Sequence, residues 1–477
     1  MVSTFGSLAT AYRGLTAART GLDVVGQNIA NVNTEGYTRQ RVTQSSIEAA
    51  ARVGLFSSGA QPGQGVSVDG IARIGDRFAD AQVRGAAGAA GYQGVRASVT
   101  AALESSLNEP STTGIASQLT KFWSAWQDVS NDPSAAAPAA VLLGQATTLA
   151  GSLASVWSAV DDQWSATRGQ VDALAGQLNA AAAQVADLND RIRSNTQMGV
   201  SSNELVDARS LLTEKIAALA GGTVRDAGDG TVDVLVGGNA LVSGTTARTL
   251  VVTGERPMTS AASAGGAGVA LSWSHRPGEV VALEGGSLAG AVSLLAPATA
   301  DGRGGALAQA AASYDALATQ LATQVNAVHA GGVRADGQPA GQFFALAPGV
   351  SAARGLTVVP TGASSIASGG GAGALDGSVA QRIAQIGVGS GSPDRAWSSI
   401  VAGIGASAKS EMAQSSLADL AASSAKNRQL SGSGVSLDEE NVSLLSYQHA
   451  YQGAARVMTA IDEMLDTLIN GMGRVGR

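Results

Sequence analysis

Between residues 444 and 468, eight positions follow one another at alternating steps of three and four: Leu444, Tyr447, Tyr451, Ala454, Met458, Ile461, Leu465 and Leu468. This spacing is a coiled-coil seam, and it obliges the segment to be a helix that buries one edge against another helix. Ser436 stands three residues before Glu439, the spacing of a capping box. Asp438, Glu439 and Glu440 place negative charge where a helix start favours it. A second helical stripe lies at the other end of the chain: Phe5, Leu8, Tyr12, Leu15, Ala18, Leu22, Val25 and Ile29, with one step out of phase. It ends at Asn31, Asn33 and Gly36, residues that stop helices and make turns. A lone helix pair is marginal in water, so two such stripes with no globular domain beside them predict a unit that neighbouring copies complete.

The middle of the chain predicts more helix. Trp157, Val160, Trp164, Val171, Leu174, Leu178, Ala181, Val185, Leu188 and Ile192 hold heptad seam positions across 154–195, with Thr167 the one polar exception. At ~1.5 Å per residue that is a rod more than about 50 Å long. Shorter helical patterns cover 76–107, 114–130, 203–220, 304–330 and 395–430. Segment 222–300 instead alternates Val and Leu with polar residues and breaks at Gly pairs, the pattern of short strands and hairpins. The stretches 259–268 and 361–374 are rich in Gly, Ala and Ser and read as loops with little to bury. The expectation is an α+β fold in which long terminal and central helices form coiled-coil and bundle layers around an inserted β-rich outer domain. Its domains are 1–35 with 437–477, then 36–221 with 301–436, then 222–300.

Composition limits the chemistry. With 62 Gly and only 6 each of Phe, Trp and Tyr, the interior must pack on small side chains. The net charge is −7 and only four lysines are present, with no basic run, so nucleic acid and anionic membrane surfaces are poor partners. The absence of cysteine excludes disulfides, thiolate nucleophiles and Cys-held metals, and the three histidines lie too far apart for an HExxH zinc site. No stretch of ~18 apolar residues predicts a membrane span, and the first residues lack the pattern of a Sec signal. GMGRVG at 471–476 matches a dinucleotide fingerprint only as a string, because a helix rather than a strand precedes it. Asp161/Asp162 and Glu439/Glu440 are adjacent, diverge by about 100° on a helix, and read as solvated surface. His449 reads as a polar residue at an interface, and Trp157 and Trp164 as core. No catalytic residue, cofactor site or metal site is expected.

Two segments carry a resemblance. GLDVVGQNIANVNTEGYTRQ resembles the signature of bacterial flagellar rod, hook and hook-associated proteins through Ala30, Asn31, Thr34, Gly36 and Tyr37. The following Thr38, Arg39 and Gln40 look like the hook-associated, hook–filament junction branch. The C-terminal run is similar to the same branch through Leu437, Asp438, Glu439 and Glu440, then Tyr447, Gln448, Ala450, Tyr451 and Gln452. LVDARSLLTEKIAAL at 205–219, SGTTARTL at 243–250 and GQFFAL at 341–346 also resemble the family.

The resemblance implies a non-enzymatic structural link in a helical tube, with its terminal helices paired in the inner wall and its β-containing part facing outward. It implies self-assembly, contact with the hook protein and with a second hook-associated junction protein, and an export chaperone that holds the C-terminal region. It also implies an extracellular place in the flagellum, reached through flagellar type III export without a cleaved signal. The expected assembly interface is Phe5, Leu8, Tyr12, Leu15, Leu22, Val25, Ile29, Asn31, Thr34, Gly36, Tyr37 and Arg39, facing Leu444, Tyr447, Tyr451, Met458, Ile461, Leu465 and Leu468. A distal rod or hook subunit is the rival within the family, disfavoured by the helical middle. A secreted adhesin or hydrolase built on 222–300 is the rival outside it, and it lacks acid, base or ligand residues. Larger relatives carry a further outer domain beyond 350, where this chain has only a weakly patterned stretch before the helix at 395.

Overall fold

Helices open and close the chain, and short strands occupy the gaps between them, in a computed structural model that describes residues 4–48, 63–258, 261, 266–370 and 375–471. The GMGRVG tail beyond Gly471 and parts of the two small-residue loops lie outside the described residues. Helix α1 (Thr4–Ala30) leads into an antiparallel hairpin, β1 (Gln40–Ser46) and β2 (Val66–Arg73), whose register runs from Gln40 opposite Arg73 to Ser46 opposite Val66. Four helices follow: α2 (Arg77–Ser106), α3 (Ile115–Asn131), α4 (Ala136–Gln197) and α5 (Asn203–Ala220).

The alternating segment forms two small antiparallel sheets. The first holds β3 (Thr223–Asp226), β4 (Val232–Val236), β5 (Asn239–Ser243) and β6 (Thr246–Ala247). The second holds β7 (Leu250–Thr253), β8 (Ala270–Trp273) and β9 (Arg276–Val280). Val234, Val236, Leu271 and Trp273 are buried, and β5, β6 and β7 pack on α4. Helices α6 (Gly286–Leu294) and α7 (Ala306–His329) then return the chain to the bundle.

The rest of the middle is a thin covering: β10 (Val333–Arg334), β11 (Phe344–Leu346), α8 (Ala352–Gly355), β12 (Leu356–Val358), β13 (Ala367–Gly369) and α9 (Ser378–Ala384). The chain ends in α10 (Pro393–Ser433), which packs along α2, and α11 (Leu437–Gly471), which packs along α1. The long helices and small sheets make this an α+β molecule.

Helix α4 organises the core. Trp157, Val160, Trp164, Val171, Leu178, Val185 and Ile192 are all buried, the face that the heptad pattern marks. The helix begins at Ala136, well before the expected 154. Pro138 falls in its first turn, where a missing N–H costs nothing, and Gly144 and Gly151 sit on its exposed face. Tertiary packing through Leu142, Ala146, Leu149 and Leu153 outweighs these weak helix formers. The run from Ala136 to Val160 carries no charge and also corrects the expectation about membranes: by length and composition α4 is apolar enough to cross one, and 33% of its most apolar 18-residue stretch is buried inside the fold. Here its apolar face is core, covered by α3, α7 and α8.

The small-residue segment 361–374 also differs from the loop expected of it. Ile366, Ala367 and Ser368 are buried, and β13 pairs with β10. His329, itself buried, explains this: its Nε2 accepts the Ala367 N–H at 3.0 Å, while Nδ1 lies 2.8 Å from the Gly341 carbonyl. Small side chains let the backbone come close enough to use those bonds. Met258 and Ala261, at the edge of the other such segment, are buried as well.

Candidate assembly interface

The two terminal helices run antiparallel in a register that repeats every seven residues. Asn28 meets Glu440, Gly21 faces the ring of Tyr447, and Gly14 faces Ala454. Continued one heptad further, this register sets Ile461, only 4% exposed, beside Ser7 and leaves the turns from Leu465 onward beyond the start of α1. On α11 the predicted seam faces α1 as far as Ile461: Leu444, Tyr447 and Met458 are half-buried and Tyr451 is more open, while Leu465, half-buried, and Leu468, exposed, lie past the start of α1.

On α1 the buried edge is made of small residues. Ala11, Ala18, Gly21, Val25 and Asn28 are buried, and Gly14 is half-buried, at the same alternating steps of four and three. The predicted stripe shares Ala18 and Val25 with this edge, but its larger members lie further round the helix. Leu8, Leu15, Leu22 and Ile29 are half-buried, and Phe5 and Tyr12 are 70% and 60% exposed. Glycine and alanine carry almost no hydropathy signal, so the periodicity follows the larger neighbours. The small edge lets α11 approach, and the large residues are left facing outward.

Past Ala30 the chain stops being helical through a short set of local bonds. Asn31 Nδ2 donates to the Gln27 carbonyl, Thr34 Oγ1 donates to Asn31 Oδ1 at 3.1 Å, and the Tyr37 N–H donates to the Thr34 carbonyl. Gly36 sits at φ +79°, in the left-handed region, and the chain then enters β1. A Cβ there would meet Leu211 at an ordinary 3.6 Å, so the constraint is the backbone angle rather than space. Gly36→Val is therefore expected to cost about 1–3 kcal/mol of strain and to impair assembly while leaving secretion intact. Normal filament numbers in complemented deletion cells would remove the turn's structural role.

Beyond the turn a buried polar node joins six elements, α1, β1, β2, α5, α10 and α11. Asn28, 1% exposed, uses its full bonding capacity. Its Nδ2 donates to the Gln40 carbonyl at 2.9 Å and to Glu440 Oε2 at 3.1 Å. Its Oδ1 accepts from the Tyr37 hydroxyl at 2.8 Å and from the Gln40 N–H at 3.0 Å. Burial, reinforced by Glu204, Asp207 and Glu440, pushes the Tyr37 phenol up to about 12, so it remains a donor. Arg39 Nε donates to Glu440 Oε1 at 2.7 Å, its Nη1 reaches Glu439, and its backbone N–H donates to the Ser433 carbonyl. Asp207 of α5 accepts the Thr38 N–H and pairs with Arg73. Glu204 accepts from both Gln27 and Gln40.

This corrects the reading of Glu440 as solvated surface, whereas Glu439, 63% exposed, is solvated as expected. The Glu440 side chain is 2% exposed, and both carboxylates turn toward the one guanidinium. Glu439 points to Arg39 rather than back to Ser436. Asn28 stands out in the sequence only as a polar residue at an otherwise apolar seam position. Of the other residues singled out, Trp157 and Trp164 are core, His449 is exposed, and Asp161 accepts the Met258 N–H at 2.9 Å.

An antiparallel pair of terminal helices is latched by a polar turn to a long helical body that carries small sheets, and comparison with known proteins places a chain of this architecture among the axial structural proteins of the bacterial flagellum. Family models agree along the chain: residues 100–344 match the flagellar hook-associated protein FlgK helical domain, 8–38 the flagella basal body rod protein, and 426–471 the C-terminal part of the basal body rod FlgEFG proteins. The chain is 30% identical to flagellar hook-associated protein 1 of Bacillus subtilis over the whole of both proteins. It is 28% identical to that of Salmonella typhimurium over 70% of this chain and 58% of the relative. A solved structure of the flagellar hook junction protein FlgK from Burkholderia pseudomallei shares the fold, with a TM-score of 0.63 at 17% identity, covering 74% of this chain and all of that one. The chain belongs to the flagellar hook-associated protein 1 family. It is a structural component of the hook–filament junction, it lies in the flagellum outside the cell, and it assembles with other axial proteins.

Proposed function

We propose that the α1–α11 pair is the element by which copies of this chain join one another in a helical tube. The outer faces of the pair provide the contacts, and the domain formed by 222–300 points away from the axis. The observation that carries this reading is the placement of large apolar side chains on a pair whose own seam is already filled. Phe5 and Tyr12 on α1, and Val442, Val457, Met464 and Ile469 on α11, are all at least half exposed. Such a surface is costly in an isolated molecule and suits a subunit interface. On the same reading, the hook protein and a second hook-associated junction protein meet the assembly at its two ends. A chaperone covers α11 before export through the flagellar type III apparatus, and the protein performs no catalysis.

Three substitutions separate the inner seam from the outer face. Tyr12→Asp is expected to leave the melting temperature of the monomer unchanged and to abolish incorporation. Ile461→Asp, which buries a carboxylate opposite α1, is expected to lose both stability and incorporation. Asp462→Ala on the adjacent exposed face should change neither. Filament counts from electron micrographs of complemented deletion cells decide the matter, and equal counts for all three would sink the proposal.

A further inference from the structure

The chain carries a net charge of −7, yet a cavity of ≈ 660 Å³ between α2, α5 and β3 is lined by five arginines and only two aspartates. Three of the arginines have carboxylate partners: Arg73 pairs with Asp207, Arg77 with Asp226 at 2.6 Å, and Arg225 with Asp233 at 2.8 Å. The other two do not. Arg209, 8% exposed, donates to two neutral oxygens, Asn189 Oδ1 at 2.9 Å and the Gly230 carbonyl at 2.7 Å. Arg84, half-buried, makes no hydrogen bond or salt bridge to any described residue. The carboxylates whose charge reaches it are committed elsewhere: Asp80 accepts from Gln429 at 2.6 Å, and Glu214 from Lys426 at 2.8 Å. Arg84 also borders neighbouring cavities of ≈ 270 and ≈ 460 Å³.

We infer that this cavity is a binding site for a small oxyanion of the phosphate or sulfate class, gripped by Arg84 and Arg209. A buried guanidinium without an anion is unfavourable, and the planar fork of arginine matches paired oxygens better than any other side chain does. Burial lowers the proton affinity of both groups, and the opposite charges of Asp226 at Arg209 and of Asp80 and Glu214 at Arg84 offset it only in part, so an anion here relieves desolvation. The volume far exceeds the ~30 Å³ share of one water, and it admits a tetrahedral ion with part of its hydration shell. The bound ion would tie α2 of the body to α5 and to the first strand of the sheet layer.

Calorimetric titration and thermal melting with inorganic phosphate, at ionic strength held constant with sodium chloride, test the site. The full-length protein should bind phosphate saturably and melt higher as it does so. Arg84→Gln should weaken binding about tenfold or more, because it removes charge-assisted bonds. Arg84→Lys, which keeps the charge without the fork, should fall between, and it carries the test if Arg84→Gln does not fold. Arg395→Gln, an exposed arginine on α10, should bind like the parent. A parent protein with no phosphate effect beyond that of chloride, or unchanged binding in both Arg84 variants, would overturn the inference.

Discussion

Glu440→Ala is expected to detach the terminal helix pair from the body of the molecule, at a cost of about 3–5 kcal/mol. The carboxylate is buried and holds Arg39 Nε and Asn28 Nδ2, so its removal leaves the Nε–H of a guanidinium and one N–H of an amide without an acceptor inside the fold, with only the Glu439 and Gln40 bonds remaining to them. The neighbouring Glu439→Ala breaks a bond to the same arginine but should cost no more than about 1 kcal/mol, because that side chain is 63% exposed and water replaces it. Chemical denaturation, with limited proteolysis near residues 31–39 and 433–437, measures the contrast. Equal losses for the two variants would show that the node does not latch the pair.

The same pair of glutamates marks what the sequence could convey. Adjacent acidic residues at a helix start carry a clear local meaning, cap and dipole, and that meaning hides the arginine 401 positions away that one of them buries against. The seam of α11 was legible because it is built from large side chains at faultless spacing. Its partner edge on α1 was legible only at Ala18 and Val25, since Gly14 and Gly21 leave no hydropathy trace, and only at Gly21 does the close approach of the Tyr447 ring exclude a side chain. The later part of α4 was plain from Trp157 to Ile192, while its first turns lay behind Pro138, Gly144 and Gly151, which argue against helix locally and are overruled by packing. The burial of Ile366 to Ser368 rests on His329, a contact across the bundle that no local pattern encodes. Strands in 223–280 followed the alternation, but alternation could not say that they would lie on α4.

Two glycines three residues apart on α2 should respond to alanine with opposite signs. Helix propensity alone predicts that Gly→Ala stabilises by about 0.5–1 kcal/mol at either place. Gly94 has nothing within 4 Å of a built Cβ, so Gly94→Ala should show that gain. At Gly91 an added Cβ would fall well inside contact distance of the Ala218 carbonyl and 3.1 Å from the Ser287 N–H. Both are backbone atoms, at the points where the chain leaves α5 for the sheets and returns from them into α6, so neither can swing aside as a side chain would. Relief requires α2 to part from that crossing, and Gly91→Ala should therefore destabilise by about 3 kcal/mol, the upper end of ordinary overpacking. Because the sheets are seated on the body through this crossing as well as through α4, their strands should also lose hydrogen-exchange protection. Melting curves of the two variants settle the sign, and a Gly91→Ala protein as stable as Gly94→Ala would mean that the three helices do not meet as closely as this packing requires.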